Sequence, residues 1–380
     1  MTLHIFNPEH DIALASDLSN FTAPHAGRQL CHDLGYLPAL WADEGDAVLV
    51  DSVDLAERSL RKVVTAARRL KLIDRQMGVR LVSSPGALSL SGVKPWGWDK
   101  ALCARLKRGG VDAALLPADE QLGFIRQLSH RRIAAQLLTR LRREGTLGES
   151  FECTRAEDVE ALLGRYGRLV LKAPWSSSGR GLRFLDKERT PLQMQAGWLR
   201  NLLERQGSVM VEPYYNKVKD FGMEFTALAD GTIRYDGLSL FHTTNGAYMG
   251  NILATEAAKR QMLSRYIPTD LLDAVRADVC RLLAPVFQDR YAGPFGIDMM
   301  VLSRGELMDT GIEHCGNSIG QRSFCLHPCV EINLRCTMGH VALALASHDD
   351  DIMAVMRIEY NDSTYQLKLS SYHPVNLQSS

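Results

Sequence analysis

The segment "CVEINLR", Cys329–Arg335, sets Glu331, Asn333 and Arg335 two residues apart. In a strand successive side chains alternate faces, so these three would share one face and Val330, Ile332 and Leu334 the other. A carboxylate, an amide oxygen and a guanidinium above an apolar underside can hold a hard cation and the anion it carries. Alone, the strand is more simply one whose outer face is wet. A second acid shifts that balance: "FGIDMMVL" puts Asp298 in a strand-like run with apolar residues on both sides. An acid inside a strand is disfavoured unless it is paired, hydrogen-bonded or bound to a metal. On adjacent strands Asp298 and Glu331 would jointly hold one or two magnesium ions, which keep phosphate oxygens as further ligands.

A cation stands upstream. "LVLKAPWSSSGRGLRFL", Leu169–Leu185, carries Lys172 in an apolar run and then a loop of Ser176, Ser177, Ser178 and Gly179. The Walker pattern is absent, because there the lysine follows the glycines, and no strand–GxGxxG–helix unit occurs. Either this is an ordinary hairpin whose lysine faces water, or the lysine meets phosphates that the loop's N–H groups and hydroxyls cover. Glycine would permit the close approach. His314, Cys315, Cys325, His327 and Cys329 are zinc-type residues, but without paired C-x2-C spacing they read as scattered thiols and imidazoles. In "FHTTNGAYMGN", His242–Asn251, Asn245, Tyr248 and Asn251 either line a site or belong to a loop shaped by Gly246 and Gly250.

Elements must position these groups. "LHIFN", "LPALWA", "AVLVD" and "VRLVSSPG" read as strands; "HAGRQLCHDLG" and "DLAERSLRKVVTAARRLKLIDRQ" read as helices. Their alternation argues for an open α/β domain with a mainly parallel sheet, whose ligands bind beyond the carboxyl ends of strands. "NPEHD", after the first strand, is then a substrate-facing loop or a simple turn, and "PWGWDK" is a second such loop. Ile133, Ala134, Leu137, Leu138 and Leu141 make a helical stripe, and Thr154 with Glu157 forms a capping-box pattern before the next helix. Strands "LVLKA" and "LRFL", a helix opening at Thr190–Pro191 and closing at Gly207, and the strand "VMVE" complete a compact α+β lobe. The remainder is strand-rich ("MEFTALA", "TIRYDGLSLF", "FGIDMMVL", "CVEINLR"), with helices at "ATEAAKRQMLSRY", "DLLDAVRADVCRLLAPVF" and "GHVALALAS" and a polar, fraying end.

In their order, "LVLKAPWSSSGRG", "VMVEPYY", "MEFTALA", "GIDMMV" and "VEINLR" resemble the ATP-grasp superfamily over residues 125–340. E-x-N-x-R is similar to biotin carboxylase; the lysine loop and "EFT" are similar to D-alanine–D-alanine ligase. The resemblance implies an α/β domain at 1–124 followed by two ATP-grasp lobes of α+β type, 125–215 and 216–380, with ATP between them. By matching position, Lys172 would hold the α- and β-phosphates and Ser177, Ser178 and Gly179 would cover the triphosphate. Glu212, Pro213, Tyr214 and Tyr215 would form the adenine hinge, and Glu224 would take the ribose hydroxyls. Asp298, Glu331 and Asn333 would hold Mg2+, and Arg335 would steady the charge that develops in phosphoryl transfer. Where the family has an earlier lysine, this chain has "SHRRIAAQ", so Arg132 or its neighbour Arg131 would substitute. The implied reaction is ligation: a carboxylate is activated as an acylphosphate and attacked by an amine. The same residues would also serve a phosphotransferase, or a silent nucleotide-binding module.

Composition agrees with a soluble enzyme of small molecules. With 46% hydrophobic and 23% charged residues over 380 positions, two or three domains are expected. Lys plus Arg and Asp plus Glu both number 44, so no net field favours nucleic acid or an acidic membrane. No signal peptide or membrane span is apparent, and the 8 scattered cysteines fit reduced thiols, so a cytoplasmic protein is expected. A homodimer is the default expectation for such an enzyme.

Overall fold

The computed structural model describes residues 1–74, 77–176, 181–244, 247–303 and 323–372. It opens with strands β1 (Thr2–Ile5), β2 (Ala47–Leu49), β3 (Arg80–Val82) and β4 (Gly92–Pro95). They pair in parallel in the order β3-β2-β1-β4, as strand–helix alternation predicts. Between and after them run α1 (His10–Ser16), α2 (His25–Leu34), α3 (Val53–Arg69), α4 (Lys100–Arg108) and α5 (Asp119–Leu128). The order turns round at β1, which has β2 on one side and β4 on the other, so the loops leaving β1 and β4 flank one crevice. "LPALWA", expected as a strand, is a buried 3-10 turn, Leu37–Leu40. Pro38 has no N–H for a ladder and its fixed φ suits the first turn of a helix.

A second sheet is smaller and antiparallel. After α6 (Arg132–Arg140) come β5 (Phe151–Cys153), α7 (Ala156–Tyr166), the hairpin β6 (Arg168–Lys172) and β7 (Leu182–Asp186), α8 (Ala196–Gln206) and β8 (Val209–Pro213), in the sheet order β5-β8-β6-β7. Two helix starts differ from the sequence reading. The Thr154–Glu157 capping box does not form: β5 pairs as far as Cys153, Thr154 falls in the turn, and Arg155 is the N-cap. Thr190 is tied to Asp186 at the end of β7, so the chain first makes a 3-10 turn, Leu192–Gln195, before α8. Gly207 closes α8 as expected, at φ 81°.

The third sheet has seven antiparallel strands, β13-β12-β9-β10-β11-β14-β15. Its members are β9 (Lys217–Ala227), β10 (Ile233–Thr244), β11 (Ala247–Leu253), β12 (Gly293–Ser303), β13 (Phe324–Asn333), β14 (Ala354–Asn361) and β15 (Thr364–Ser371). Helices α9 (Glu256–Ser264), α10 (Thr269–Phe287) and α11 (Met338–Leu345) intervene. Alternation sorts its faces. Phe221, Met223 and Phe225 of β9, Phe295, Ile297 and Val301 of β12, and Ile332 of β13 enter one core with residues of α5, α6, α9 and α10. Asp220, Glu224, Asp298, Glu331 and Asn333 face a cleft on the other side.

"FHTTNGAYMGN" proves to be the end of β10 and the start of β11, with Asn245 outside the described residues. Between α11 and the polar end expected to fray, whose residues 373–380 lie outside the described residues, stands the β14–β15 hairpin. Its Met356 and Leu367 pack with Leu34 of α2 and Val63 of α3, so the far end of the chain covers the first domain. No helix among the described residues is long and apolar enough to cross a membrane.

Candidate functional site

The small sheet and the seven-stranded sheet face one another across a cavity of about 940 Å3. On the small sheet's side, Leu169 and Leu171 go into the core, and the alternate residue Lys172 faces the cleft. On β8, Val209 and Val211 go inward and Glu212 faces the cleft beside it. Val170 is the register partner of Glu212, so Lys172 and Glu212 are diagonal neighbours. Both are buried, and Lys172 Nζ lies 2.6 Å from Glu212 Oε2. Pro213, Tyr214 and Tyr215 follow along the cleft wall, with Arg168 stacked 4.0 Å over the Tyr214 ring. Ser177, Ser178 and Gly179 lie outside the described residues.

The opposite wall carries the acids. Asp298 of β12 is the direct register partner of Glu331 of β13, so the expected pair does occupy adjacent strands. Asn333 donates to Asp298 Oδ2 at 3.1 Å and accepts at Oδ1 from Arg335 at 3.0 Å. Burial, then the neighbouring Glu331, pushes the Asp298 carboxyl up to about 7. The ladder is irregular just beyond, where Met300 pairs with His327, and Val330 also lines the cleft. The sequence reading put Val330 on the far face; the bulge breaks the strict alternation there.

Glu224 belongs with these acids. It sits opposite Gly296 of β12, two residues before Asp298, and is buried. Thr337 Oγ1 donates to its Oε2 at 2.9 Å, and His340 Nδ1 lies 3.2 Å away. A Cβ on Gly339 would come within 1.8 Å of Oε1, and one on Gly296 within 2.5 Å of Oε2, so two bare backbones make its socket. Burial, then Asp298, raises it to about 8, while burial lowers His340 to about 4. Thr337 and His340 both meet Oε2, while Glu224 as a whole lines the cleft. Glu224, expected to take ribose hydroxyls, thus stands on the floor of the acid end of the cleft.

Of the two arginines offered for the place of the earlier lysine, Arg131 lines the cleft and Arg132 does not. Arg131 is the N-cap residue of α6; it donates to the Ala173 carbonyl, to Ser176 Oγ at 2.8 Å and to Glu331 Oε1 at 2.7 Å. Arg132 points the other way, to Glu152 at 2.9 Å and to His130, with its side chain about half exposed. Consecutive helical residues diverge by roughly 100°, so only one of them can enter the cleft.

Arg335 lines the cleft too, and its partner is one the sequence reading missed. Asp11, in the "NPEHD" segment, accepts from Nε at 2.9 Å, and its Oδ2 forms an ion pair with Nη2 at 2.8 Å. Burial opposes the Arg335 charge, but Asp11, Glu331 and Asp298 around it hold its pKa up. Only the placement of "NPEHD" beyond a strand's carboxyl end pointed toward this contact.

Tyr248 and Asn251 also line the cleft: Tyr248 donates to Asn251, which donates to Ser239 Oγ at 2.8 Å. His314 and Cys315 lie outside the described residues. His327 is fully buried on β13, with neither ring nitrogen hydrogen-bonded, and no group of three or more His, Cys, Asp or Glu poised for a metal occurs among the described residues.

No known family model and no curated protein matches the chain. Among solved structures it is similar to N5-carboxyaminoimidazole synthetase from Staphylococcus aureus complexed with ADP, at 12% identity and TM-score 0.47, over 95% of this chain and 83% of that one. It is similar to the biotin carboxylase domain of Hydrogenobacter thermophilus 2-oxoglutarate carboxylase in complex with MgADP, ADP and bicarbonate, at 12% identity and TM-score 0.46, over 83% and 64%. A RimK domain ATP-grasp protein from Sphaerobacter thermophilus gives 16% identity and TM-score 0.39, over 79% and 97%. At such identities and TM-scores the likeness alone assigns no activity to this chain.

Proposed function

We propose that the chain is an ATP-grasp enzyme, an ATP- and Mg2+-dependent ligase that joins a small-molecule carboxylate to an amine-type nucleophile. The observation that carries this is the cleft itself. A buried Lys172–Glu212 pair faces the register-matched Asp298 and Glu331, with Asn333 and Arg335 on the same wall. On this reading residues 1–124 form the first domain, and 125–215 and 216–380 are the two lobes that enclose the nucleotide.

The acid wall fits magnesium by its chemistry. Two carboxylates and an amide oxygen are too few for an all-protein cage, and suit a cation whose remaining ligands are phosphate and water. Asp298, with its raised pKa, is a buried acid whose charge a cation would stabilise. When bound there, magnesium neutralises charge on the transferring phosphoryl group. Lys172 and Arg131 hold phosphate oxygens from the other side, and Glu212 to Tyr215 meet the base.

A carboxylate oxygen of the substrate bonds to the γ-phosphorus of ATP as the bond to the bridging oxygen breaks, leaving an acylphosphate and ADP. The amine then bonds to the acyl carbon, phosphate departs with the electron pair of the C–O bond, and the amine gives up its proton. Arg335 stabilises the negative charge of both steps by electrostatics rather than by proton transfer.

Calorimetry with MgADP, followed by an ADP-release screen of carboxylates with and without amines, tests this. Tight MgADP binding and release that depends on both substrates are expected; a phosphorylated product formed without an amine would make it a phosphotransferase. Glu331→Ala is expected to cut turnover by on the order of 10³-fold while leaving the fold intact. Absence of MgADP binding to the wild type would sink the reading.

A further inference from the structure

We infer that Asp11 is a positioning residue: from the first turn of α1, just beyond the first strand of the parallel sheet, it orients the Arg335 guanidinium toward the reacting end of the cleft. This rests on the nucleotide reading above and adds to it a role for the first domain.

The hydrogen bonds of Arg335 make the case. Asp11 Oδ2 accepts from Nε at 2.9 Å and lies in ion-pair contact with Nη2, the Asn333 side chain accepts from Nη2 at 3.0 Å, and the Cys336 carbonyl accepts from Nη1 at 3.0 Å. Three of the five N–H groups are thereby hydrogen-bonded, leaving one on each terminal nitrogen, of which that on Nη1 is clear of Asp11 and can meet a substrate anion. Without Asp11 the two remaining partners both belong to the same stretch of chain as Arg335. Nothing from outside that stretch would then fix the plane of the fork. Asp298 and Glu331, which also attract this cation, would draw it over the place where a metal must bind. Asp11 therefore does two things at once. It aims Arg335, and it keeps that arginine from neutralising the acid pair.

Asp11 is itself firmly placed. Asn7 Nδ2 donates to the Gly97 carbonyl at 2.8 Å and to Asp99 Oδ2 at 3.2 Å, and Gly97 N returns a bond to Asn7 Oδ1 at 3.3 Å. These bonds tie the loop after β1 to the loop after β4. The Cys336 N–H then donates to the Trp96 carbonyl at 2.7 Å, fastening the residue next to Arg335 to that same frame. Both loops flank the crevice where the strand order turns round, the usual place for a parallel sheet to meet a ligand. Asp11 lies 324 residues before Arg335, and within this frame it reaches across to it.

The test is a binding cycle with MgADP, alone and with fluoroaluminate as a mimic of the transferring phosphoryl group, in the wild type, Asp11→Asn, Arg335→Lys and the double variant. The wild type is expected to bind MgADP more tightly when fluoroaluminate is present. Asp11→Asn should keep MgADP affinity within about threefold and lose about tenfold of that gain, the scale of a charged hydrogen bond. In the Arg335→Lys background, Asp11→Asn should cost less than about twofold more, because coupled residues are not additive. A residue that only stabilised the fold would lower the melting temperature and leave the fluoroaluminate gain unchanged. The inference is overturned by a full gain in Asp11→Asn, by equal losses in both backgrounds, or by a wild type with no gain to lose. A wild type that fails to bind MgADP strikes the nucleotide reading instead. Should Asp11→Asn unfold, Asp11→Glu provides the same comparison with the charge kept.

Discussion

The two walls of the cleft handle charge in opposite ways. On the small sheet the buried lysine has its own acid, Glu212, at 2.6 Å. On the seven-stranded sheet, among the described residues, Asp298 and Glu224 are hydrogen-bonded by the amide of Asn333 and the hydroxyl of Thr337 and feel Arg335 only as a weaker influence than their burial, so both are pushed far above the usual carboxylate range. One wall is complete without a ligand and the other is short of positive charge. A ligand that brings its own cation, as MgATP does, suits that asymmetry.

The largest effect should come from unbalancing the complete wall. Lys172→Ala leaves Glu212 buried and unpaired, which costs about 3–5 kcal/mol in comparable pairs. Lys172→Met with Glu212→Gln removes both charges and should recover most of that stability without restoring nucleotide affinity. Chemical denaturation of the three proteins, with MgADP titration of the double variant, measures both halves. If the double variant is no more stable than Lys172→Ala, the pair is not the closed unit described.

The incomplete wall should show itself in pH. An acid whose pKa rises on folding stabilises the folded form fully below its unfolded pKa, near 4, and that contribution is lost as pH climbs through the folded value. For Asp298 and Glu224 the window therefore runs from about pH 4 to about 7 and 8. Metal-free protein should melt a few degrees lower at pH 8 than at pH 5, on the order of 2–5 °C. Asp298→Asn should flatten that slope. Added magnesium should stabilise the wild type more at pH 8 than at pH 6, because its ligands must be deprotonated. A wild-type melting temperature that stays level over this range would show that the acid wall is better solvated than its burial implies.

Much of this was legible in the chain, and the misses have physical reasons. The strands bearing Lys172 and Glu331 alternate well enough that period alone gave the faces of Lys172, Glu331 and Asn333, although the irregularity in the second also turns Val330 to the cleft. The parallel first sheet follows from alternating elements. Which residues would stand opposite one another was a matter of long-range register. That Asp298 faces Glu331, or that Glu224 falls two residues from Asp298 across the ladder, is fixed by strand pairing and by no local signal. Asp11 lay in the "NPEHD" segment, read either as substrate-facing or as a simple turn, but its partner is 324 residues away along the chain. The β14–β15 hairpin was missed because its burial depends on α2 and α3, which no window near it contains.

The smallest expected effect tests the Arg131–Glu331 bond, which joins the two walls. Arg131 runs from Ala173 and Ser176 of the cationic side to Glu331 of the acidic side, and so couples the surplus of one wall to the deficit of the other. Arg131→Lys keeps the charge but loses the fork, and cannot hold Ser176 and Glu331 together in one plane. It should weaken MgADP binding by about tenfold, the loss of a charge-assisted hydrogen bond. Arg132→Ala removes only a half-exposed pair with Glu152, of a kind worth about 0.2–1 kcal/mol, and should change MgADP affinity by less than about twofold. Side-by-side calorimetry separates them. Equal losses would mean that the helix terminus acts as a diffuse positive patch, whereas a loss confined to Arg131 would identify that single side chain as the link between the walls.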